Sequence, residues 1–297
     1  MPRPTHGLVE VAIEGRSKDG QAKLVDALAL MAAADTTFSV LMDDVSGQII
    51  LAGDSDAHLD AKIDVLKTVH GIDANVGAPQ VAYRETLSQA AEIDYSHKLV
   101  TPAGGEFARV TLLFEPGEPN SGEMAESRAD HAPLEFVSGA MRGVEAAAKA
   151  GLIAGFPVID FKVTLVAVAY HDLDSSGRAF EIAAQGAFRE LREKGAPVLL
   201  EPIMKVEVIT PDEFMGDVIG DMNGRRGHIQ SVENQGDDHA VTALTPLSNM
   251  FWYAASLQAF SQGRTRFSMT YDHYAPLPRK LDPDPDFSPA IGMRLRA

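Results

Sequence analysis

One order of hydrophobic segments occurs twice in this chain, and that repetition limits the fold more than any single motif does. The first copy opens with a short strand at residues 8–13. Leu24, Ala27, Leu28 and Met31 then recur at helical spacing. Strands 38–42 and 48–52 flank Asp43-Asp44-Val45-Ser46-Gly47, a hairpin turn by composition. A second helix carries Leu59, Ile63 and Leu66 on one face and ends near Gly71, and strand 72–76 closes the copy. The second copy begins with strand 205–209, and Thr210-Pro211-Asp212-Glu213 then reads as a helix start. Thr210 is placed to cap, Pro211 suits the first helical position, and Glu213 completes a capping box. Met215, Val218, Ile219 and Met222 face the core, and Gly224-Arg225-Arg226-Gly227 ends the helix. Strands 228–232 and 240–244 follow around Asn234-Gln235-Gly236-Asp237. Met250, Ala254 and Leu257 mark a helix stopped by Gly263, and 264–271 is the last strand. Both copies read βαββαβ, the split βαβ or ferredoxin-like unit.

The segment between the copies has a different pattern. Residues 81–87 look extended, and 99–107, with Pro102 and Gly104-Gly105, reads as a loop between strands. Strand 109–114 comes next. Residues 115–131 are polar and rich in Glu, Gly and Pro, which predicts an exposed connection. Leu134, Val137, Met141, Val144 and Ala148 give a helix face ending at Gly151. In strand 158–169, Ile159, Phe161, Val163, Leu165 and Ala167 share one face. Val166 and Val168 make the other face apolar too, so that end is expected to be covered on both sides. Phe180, Ala183, Ala184, Ala187, Phe188 and Leu191 define a helix stopped by Gly195. The polar loop Tyr170-His171-Asp172-Leu173-Asp174-Ser175-Ser176 lies between strand and helix, held from both sides and suited to presenting side chains to a partner. Asp174, Ser175 or Ser176 is placed to cap the helix.

Charge and cysteine content exclude several functions. The 297 residues carry a net charge of -16 with no Lys/Arg-rich run, which argues against holding nucleic acid by bulk electrostatics. Without cysteine there are no disulfides, thiolate metal sites or cysteine nucleophile, and a reducing cytoplasm fits. No apolar run is long enough to span a bilayer, and Met1-Pro2-Arg3-Pro4 does not begin a signal peptide.

Several stretches carry a resemblance. They are Asn75-Val76-Gly77-Ala78-Pro79-Gln80-Val81-Ala82-Tyr83-Arg84-Glu85-Thr86; Gly155-Phe156-Pro157-Val158 with the loop from Tyr170 to Ser176; Leu200-Glu201-Pro202-Ile203-Met204; Gly216-Asp217-Val218-Ile219-Gly220-Asp221 with Arg225-Arg226-Gly227; and Pro246-Leu247, Met250-Phe251 and Gly263-Arg264. In these the chain resembles the C-terminal three domains, III to V, of translation elongation factor G, from about Gly7 to Tyr274. The resemblance implies an α+β chain of three domains. Two ferredoxin-like units, at 1–77 and 200–280, flank a middle domain at 78–199 that is like domain 2 of ribosomal protein S5, and an extended tail follows at 281–297. It implies that the middle domain is the tip domain, entering the decoding region of the small ribosomal subunit near the tRNA–mRNA duplex. His171, Asp172, Asp174, Ser175 and Ser176 would form the main tip loop, and Gly104, Gly105 and Glu106 a second, weaker one. The implied partners are the ribosome, its RNA, the tRNA–mRNA pair, and the GTPase and barrel domains that precede these three in the family. A monomeric, cytoplasmic protein is expected.

The sequence also departs from that family. No G-x-x-x-x-G-K-[ST] loop is present, so this chain is expected to bind no cofactor, with GTP and magnesium belonging to the parent's N-terminal domain, and to have no catalytic residue of its own. The second tip loop reads Thr101-Pro102-Ala103-Gly104-Gly105-Glu106-Phe107, with an acid where the family usually ends in Gln-Tyr-Gly. The domain III motif Gly-Glu-Leu-His-Leu-Asp appears as Ser55-Asp56-Ala57-His58-Leu59-Asp60, and Trp252 and Gln258 replace the usual Gly and Arg. These departures point to a divergent paralogue, and the missing nucleotide-binding half to a fragment of a longer parent rather than a free-standing short paralogue. A second reading is a paralogue that has left the ribosome and binds a protein partner. His171 with Asp172 and Asp174 is weak support for a metal site, because all three sit on one loop without a distant partner. Arg225 and Arg226 could contact phosphate or simply complement a helix end. Of the run Met250-Phe251-Trp252-Tyr253, Met250 is expected in the core and Trp252 or Tyr253 partly exposed.

Overall fold

The computed structural model describes residues 7–42, 49–101, 104–119, 121–129 and 131–278. The predicted turn at 43–47 and the tail from 281 lie outside them. Among the described residues, 7–82 and 201–275 form one compact unit, and 83–200 with 276–278 form another. The segments expected as separate first and third domains thus fall in one unit, each with its own sheet.

The first segment contains β1 (Val9–Gly15), α1 (Lys18–Ala34), β2 (Ser39–Met42), β3 (Ile49–Gly53), α2 (Asp56–Thr68), β4 (Ala74–Val76) and β5 (Gln80–Val81). The sheet order is β2-β3-β1-β4, with β5 also on β1. Leu24, Ala27, Leu28, Met31, Leu59 and Leu66 are buried as their spacing predicted. Ser17 and Ser55 cap the two helices. Pairing with β1 continues past residue 77, to Val9↔Val81.

The second unit contains β6 (Arg84–Leu87), β7 (Ala91–Thr101), β8 (Gly104–Pro116), β9 (Glu123–Ser127), α3 (Leu134–Ala150), β10 (Phe161–Ala169), α4 (Gly177–Lys194) and the start of β11 (Pro197–Pro211). Its sheet runs β7-β8-β10-β9, and the first residues of β11 pair with β6. Three expectations are corrected here. The stretch 99–107 is not a loop, because β7 and β8 form one long hairpin paired up to Thr101↔Gly104. The connection 115–131 contains an edge strand, β9, parallel to β10; it pairs through its backbone, so its polar side chains gave no alternating signal. The outer end of β10 is not covered on both sides. A bulge between Leu165 and Ala167 shifts the alternation, so Val168 packs on the core while Ala167 and Ala169 face out.

The face of α3 also differs from expectation. Leu134 is 80% exposed, and the buried stripe is Phe136, Gly139, Ala140, Gly143, Val144 and Ala148. The small residues set this face. A Cβ on Gly139 would stand 2.2 Å from the carbonyl oxygen of Gly177, and one on Gly143 would stand 2.3 Å from that of Glu181. α3 and α4 therefore approach along glycine, and larger apolar residues could not occupy the seam. α4 buries Phe180, Ala183, Ala184, Ala187, Phe188 and Leu191 in the core shared with the sheet and α3, as its spacing predicted.

The chain then returns to the first unit with the rest of β11, α5 (Asp212–Gly224), β12 (His228–Gln235), β13 (Asp238–Pro246), α6 (Tyr253–Ser261) and β14 (Arg266–Pro276). The sheet order is β12-β13-β11-β14. Thr210 does not cap α5. It is still in β11, opposite His239, and α5 starts after Pro211 with no side-chain cap. Phe214, rather than Met215, leads the buried stripe of α5. Met250 is buried in the turn before α6, Tyr253 is buried, and Trp252 is the exposed residue.

Two carboxylates, one buried and one half-buried, hold irregular segments. Glu85 is fully buried and accepts the amides of Leu152 at 2.5 Å, Ile153 at 2.9 Å, Ala154 at 2.8 Å and Phe156 at 3.1 Å. Asp35 accepts Lys62 Nζ at 2.6 Å, Thr37 Oγ1 at 2.7 Å and Thr37 N at 2.9 Å, and lies 3.3 Å from His58 Nε2. The hydrogen bond from Lys62, and after it those from Thr37, hold the Asp35 carboxyl well below the usual carboxylate range.

Two outcomes follow from these brackets. Glu85→Ala strands four amides and is expected to lower stability by at least about 3 kcal/mol in urea unfolding followed by circular dichroism; a smaller loss would mean that the loop finds other acceptors. The Asp35 contribution, from a depressed carboxyl, is present above the unfolded value of about 4 and is lost as pH falls below it. The stability gap between the native chain and Asp35→Asn should therefore be widest near neutral pH and narrow towards pH 2. A gap independent of pH would remove the ionised carboxylate from the account.

Candidate functional site

The loop from Tyr170 to Ser176 begins where β10 stops pairing, at Ala169↔Arg109, and ends where α4 starts. Its backbone folds on His171: the amides of Asp174 and Ser175 donate to the His171 carbonyl at 3.3 and 3.0 Å. The Ser175 hydroxyl accepts from His171 N at 2.9 Å and donates to the Phe107 carbonyl at 2.6 Å. Phe107 N donates to the Asp174 carbonyl at 2.8 Å. Of the three cap candidates, Ser176 caps α4, accepting from Ala179 N at 3.2 Å. Below the loop, Tyr170 packs on Phe136, which stacks on Phe180.

The second loop meets the first directly. A Cβ on Gly105 would stand 3.2 Å from Asp174 Cγ, so only glycine lets this carboxylate lie against the hairpin without displacement. Glu106, the acid where the resemblance expects Gln-Tyr, faces His97 across the hairpin at 3.1 Å. Gly104 ends the pairing of β8 with β7. The expected residues of both loops therefore come together at one end of the second unit, with Asp174 and Ser175 as the joint.

The loop itself is acidic and apolar. Residues 170–176 contain no Lys or Arg. His171 and Asp172 are exposed, and Leu173, which the sequence did not single out, is 88% exposed. His171 Nδ1 lies 3.4 Å from Leu173 N and 3.3 Å from Asp174 Oδ2. It can accept from the amide only when unprotonated, and it pairs with the carboxylate as a cation only when protonated. Among the described residues no group of three His, Asp or Glu is arranged to hold a metal ion.

Arg225 and Arg226 lie elsewhere, after α5. Arg225 donates to Asp221 Oδ2 at 2.9 Å and to the Asn249 carbonyl at 2.7 Å, and it lies over the Tyr253 ring. Burial, and then the Asp221 charge, pushes the Tyr253 phenol well above its ordinary range, while Arg225 opposes them. Arg226 has a left-handed backbone, φ 64°, and its guanidinium meets the buried Glu201 carboxylate through both terminal nitrogens. Both guanidiniums are thus engaged within the protein.

Comparison with known proteins places this geometry in a family. Models of elongation factor G match in succession: domain III over residues 1–78, domain IV over 79–196 and the C-terminus over 198–284. The chain belongs to the elongation factor G family. The loop pair falls within the domain IV match. A crystal structure of a protein from Thermus thermophilus is 32% identical, with a TM-score of 0.73 over 95% of this chain. The chain spans 42% of that protein's length. The α+β, three-domain reading is shown by these matches together with the sheets above. Among the described residues no helix is long and apolar enough to cross a membrane.

If Ser175 is the joint between the loops, Ser175→Ala should raise amide exchange at His171 and Phe107 about tenfold, while the unfolding midpoint hardly moves. Unchanged protection at both amides would show that the backbone alone sets the loop.

Proposed function

We propose that this chain is the ribosome-interacting part of an elongation factor G-like translational GTPase. It supports tRNA–mRNA translocation by inserting the end of domain IV into the decoding region. The observation that carries this reading is the joined loop pair. A loop tied down by its own hydroxyls and carbonyls, backed by a strand on one side and a capped helix on the other, loses little freedom on contact. The loop acts by steric insertion and by contacts from His171, Asp172, Asp174, Ser175 and Ser176, with Gly104, Gly105 and Glu106 beside them. The chain performs no chemistry of its own. GTP and magnesium belong to a nucleotide-binding domain, for which this sequence has no phosphate loop. An acidic loop gains nothing from bulk attraction to phosphate, so its contacts are local and shape-driven. We further propose that Arg225 and Arg226 serve mainly as internal partners, and that the protein is a cytoplasmic monomer.

A second reading, a paralogue that binds a protein instead, is favoured by the exposed Leu173 beside two carboxylates. One set of assays separates the two. The purified chain is pelleted with ribosomes at low and moderate salt, and the full-length parent is assayed for translocation with His171→Ala. The ribosomal reading expects pelleting that weakens with His171→Ala, translocation slowed about tenfold, and unchanged stability. A parent that neither pellets with ribosomes in the presence of a non-hydrolysable GTP analogue nor changes rate on His171→Ala would leave the protein-binding reading.

A further inference from the structure

The first unit carries a groove of about 490 Å³ that the loop pair does not involve. One wall holds Asp54 and Asp56 at the start of α2, and Met204, Met250, Met269 and Phe267 form much of the rest. Among the described residues that line it there is no Lys, Arg or His. Trp252 stands at its edge, 66% exposed, although a side chain of this size is usually more covered. Its backbone is left-handed, φ 56° and ψ 18°, the conformation that β-carbon-bearing residues avoid. The Trp252 amide is held in that position by Asp56 Oδ2 at 3.1 Å. The fold therefore tolerates local strain to hold a large exposed indole beside a carboxylate-walled groove. Tyr253 and Leu257 supply the buried apolar side chains of α6, and the indole packs only on its neighbour Phe251 among the aromatic rings described.

We propose that this groove docks a protein partner through a segment presenting arginine or lysine beside apolar side chains, with Trp252 as the anchor. The commitment to a cationic occupant rests on charge complementarity. Two carboxylates and an indole face attract a guanidinium or ammonium, and no cation of the groove's own competes. Met269, half-buried, adapts to apolar neighbours of that cation, while Met204 and Met250 form the buried floor. The occupant is a protein segment rather than a free cation because the indole extends the apolar surface beyond the carboxylate wall. Trp anchors surrounded by a polar rim are the pattern of protein interfaces. This inference does not depend on the ribosomal reading of the loop pair.

The test uses the single tryptophan of the chain. A twelve-residue peptide of alternating arginine and leucine is titrated against the whole chain, with tryptophan emission and calorimetry as readouts. The matching glutamate–leucine peptide and arginine amide are run alongside. The expected results are a shift of tryptophan emission with the arginine peptide only and weaker binding of arginine amide. Trp252→Gly and Asp54→Asn should each weaken the arginine peptide about tenfold in calorimetry. Glycine accepts the left-handed backbone, so Trp252→Gly should keep or raise the melting temperature, and lost binding cannot then be ascribed to unfolding. Affinity that survives Trp252→Gly, equal binding of the glutamate peptide, or arginine amide binding as tightly as the peptide would each overturn the proposal, as would no binding at all.

Discussion

The approach of α3 to α4 is the constraint from which the loop pair takes its position. Gly139 meets the carbonyl of Gly177 so closely that a β-carbon could not be inserted. Gly177 is the first residue of α4, directly after the loop, and its amide also donates to Glu135 Oε1 on α3 at 3.1 Å. The last residue of the loop, Ser176, is thus held between its own helix and its neighbour. On the other side, Phe107 on β8 grips Asp174 and Ser175. A side chain at Gly139 would push α3 away from α4, and the loop's helix-side anchor would move with the seam. Rigidity at the contact point comes from this seam and from the strand, not from packing within the loop, whose Leu173 is nearly all solvent-exposed.

Under the proposed function, that arrangement would let an acidic chain meet RNA. Phosphate attraction would allow a loose loop, because charge acts at a distance. With no Lys or Arg in the loop itself, its own contacts have to come from short-range fit and directional hydrogen bonds, which a loop can offer only if its shape is already set. The Ser175 hydroxyl, bonded to a loop amide and to a strand carbonyl, is the smallest group able to make that joint. Replacing the second loop's expected Gln-Tyr with Glu106 moves the surface further in this direction. That carboxylate, paired with His97, adds no cation to reach phosphate.

Much of the fold was legible because burial follows periodicity. The stripe of α4, the faces of α1 and α2 and the doubled βαββαβ order all come from apolar spacing. What escaped was whatever does not depend on apolar spacing. The α3 seam is built from Gly139, Ala140 and Gly143, so a search for large residues selected Leu134 instead. The bulge at Val166 imitates a strand covered on both faces. The strand β9 is a polar edge, visible only through its backbone pairing. Trp252 stands where the resemblance expects glycine, and the backbone there is left-handed, the conformation that would ask for glycine. At the site, the loop residues were legible as a group, but their joining was not. The bonds from Phe107 to Asp174 and Ser175 span more than sixty residues and leave no local pattern.

Part of the chain's negative charge serves internal bonding, with Glu85 and Glu201 buried and Asp35 half-buried. Glu85, Asp35 and Glu201 sit at three separate places and do three related things. Glu85 gathers four amides of an irregular loop, Asp35 closes a turn with Thr37 and Lys62, and Glu201 holds Arg226 in a left-handed conformation. An ionised carboxylate can accept several donors at once, which a neutral side chain of similar size cannot match. Each therefore fixes backbone that no helix or sheet ladder reaches. These three irregular segments are held by charge–dipole or ion-pair brackets, while the regular elements are held by apolar packing. The same division appears at the loop pair, where a hydroxyl and carbonyls fix the shape and the apolar contacts lie underneath in Tyr170, Phe136 and Phe180. The segment that can meet a partner is therefore positioned by polar bonds. Substitutions there can change its shape without disturbing the core, and core substitutions act on it through the α3–α4 seam and through β8.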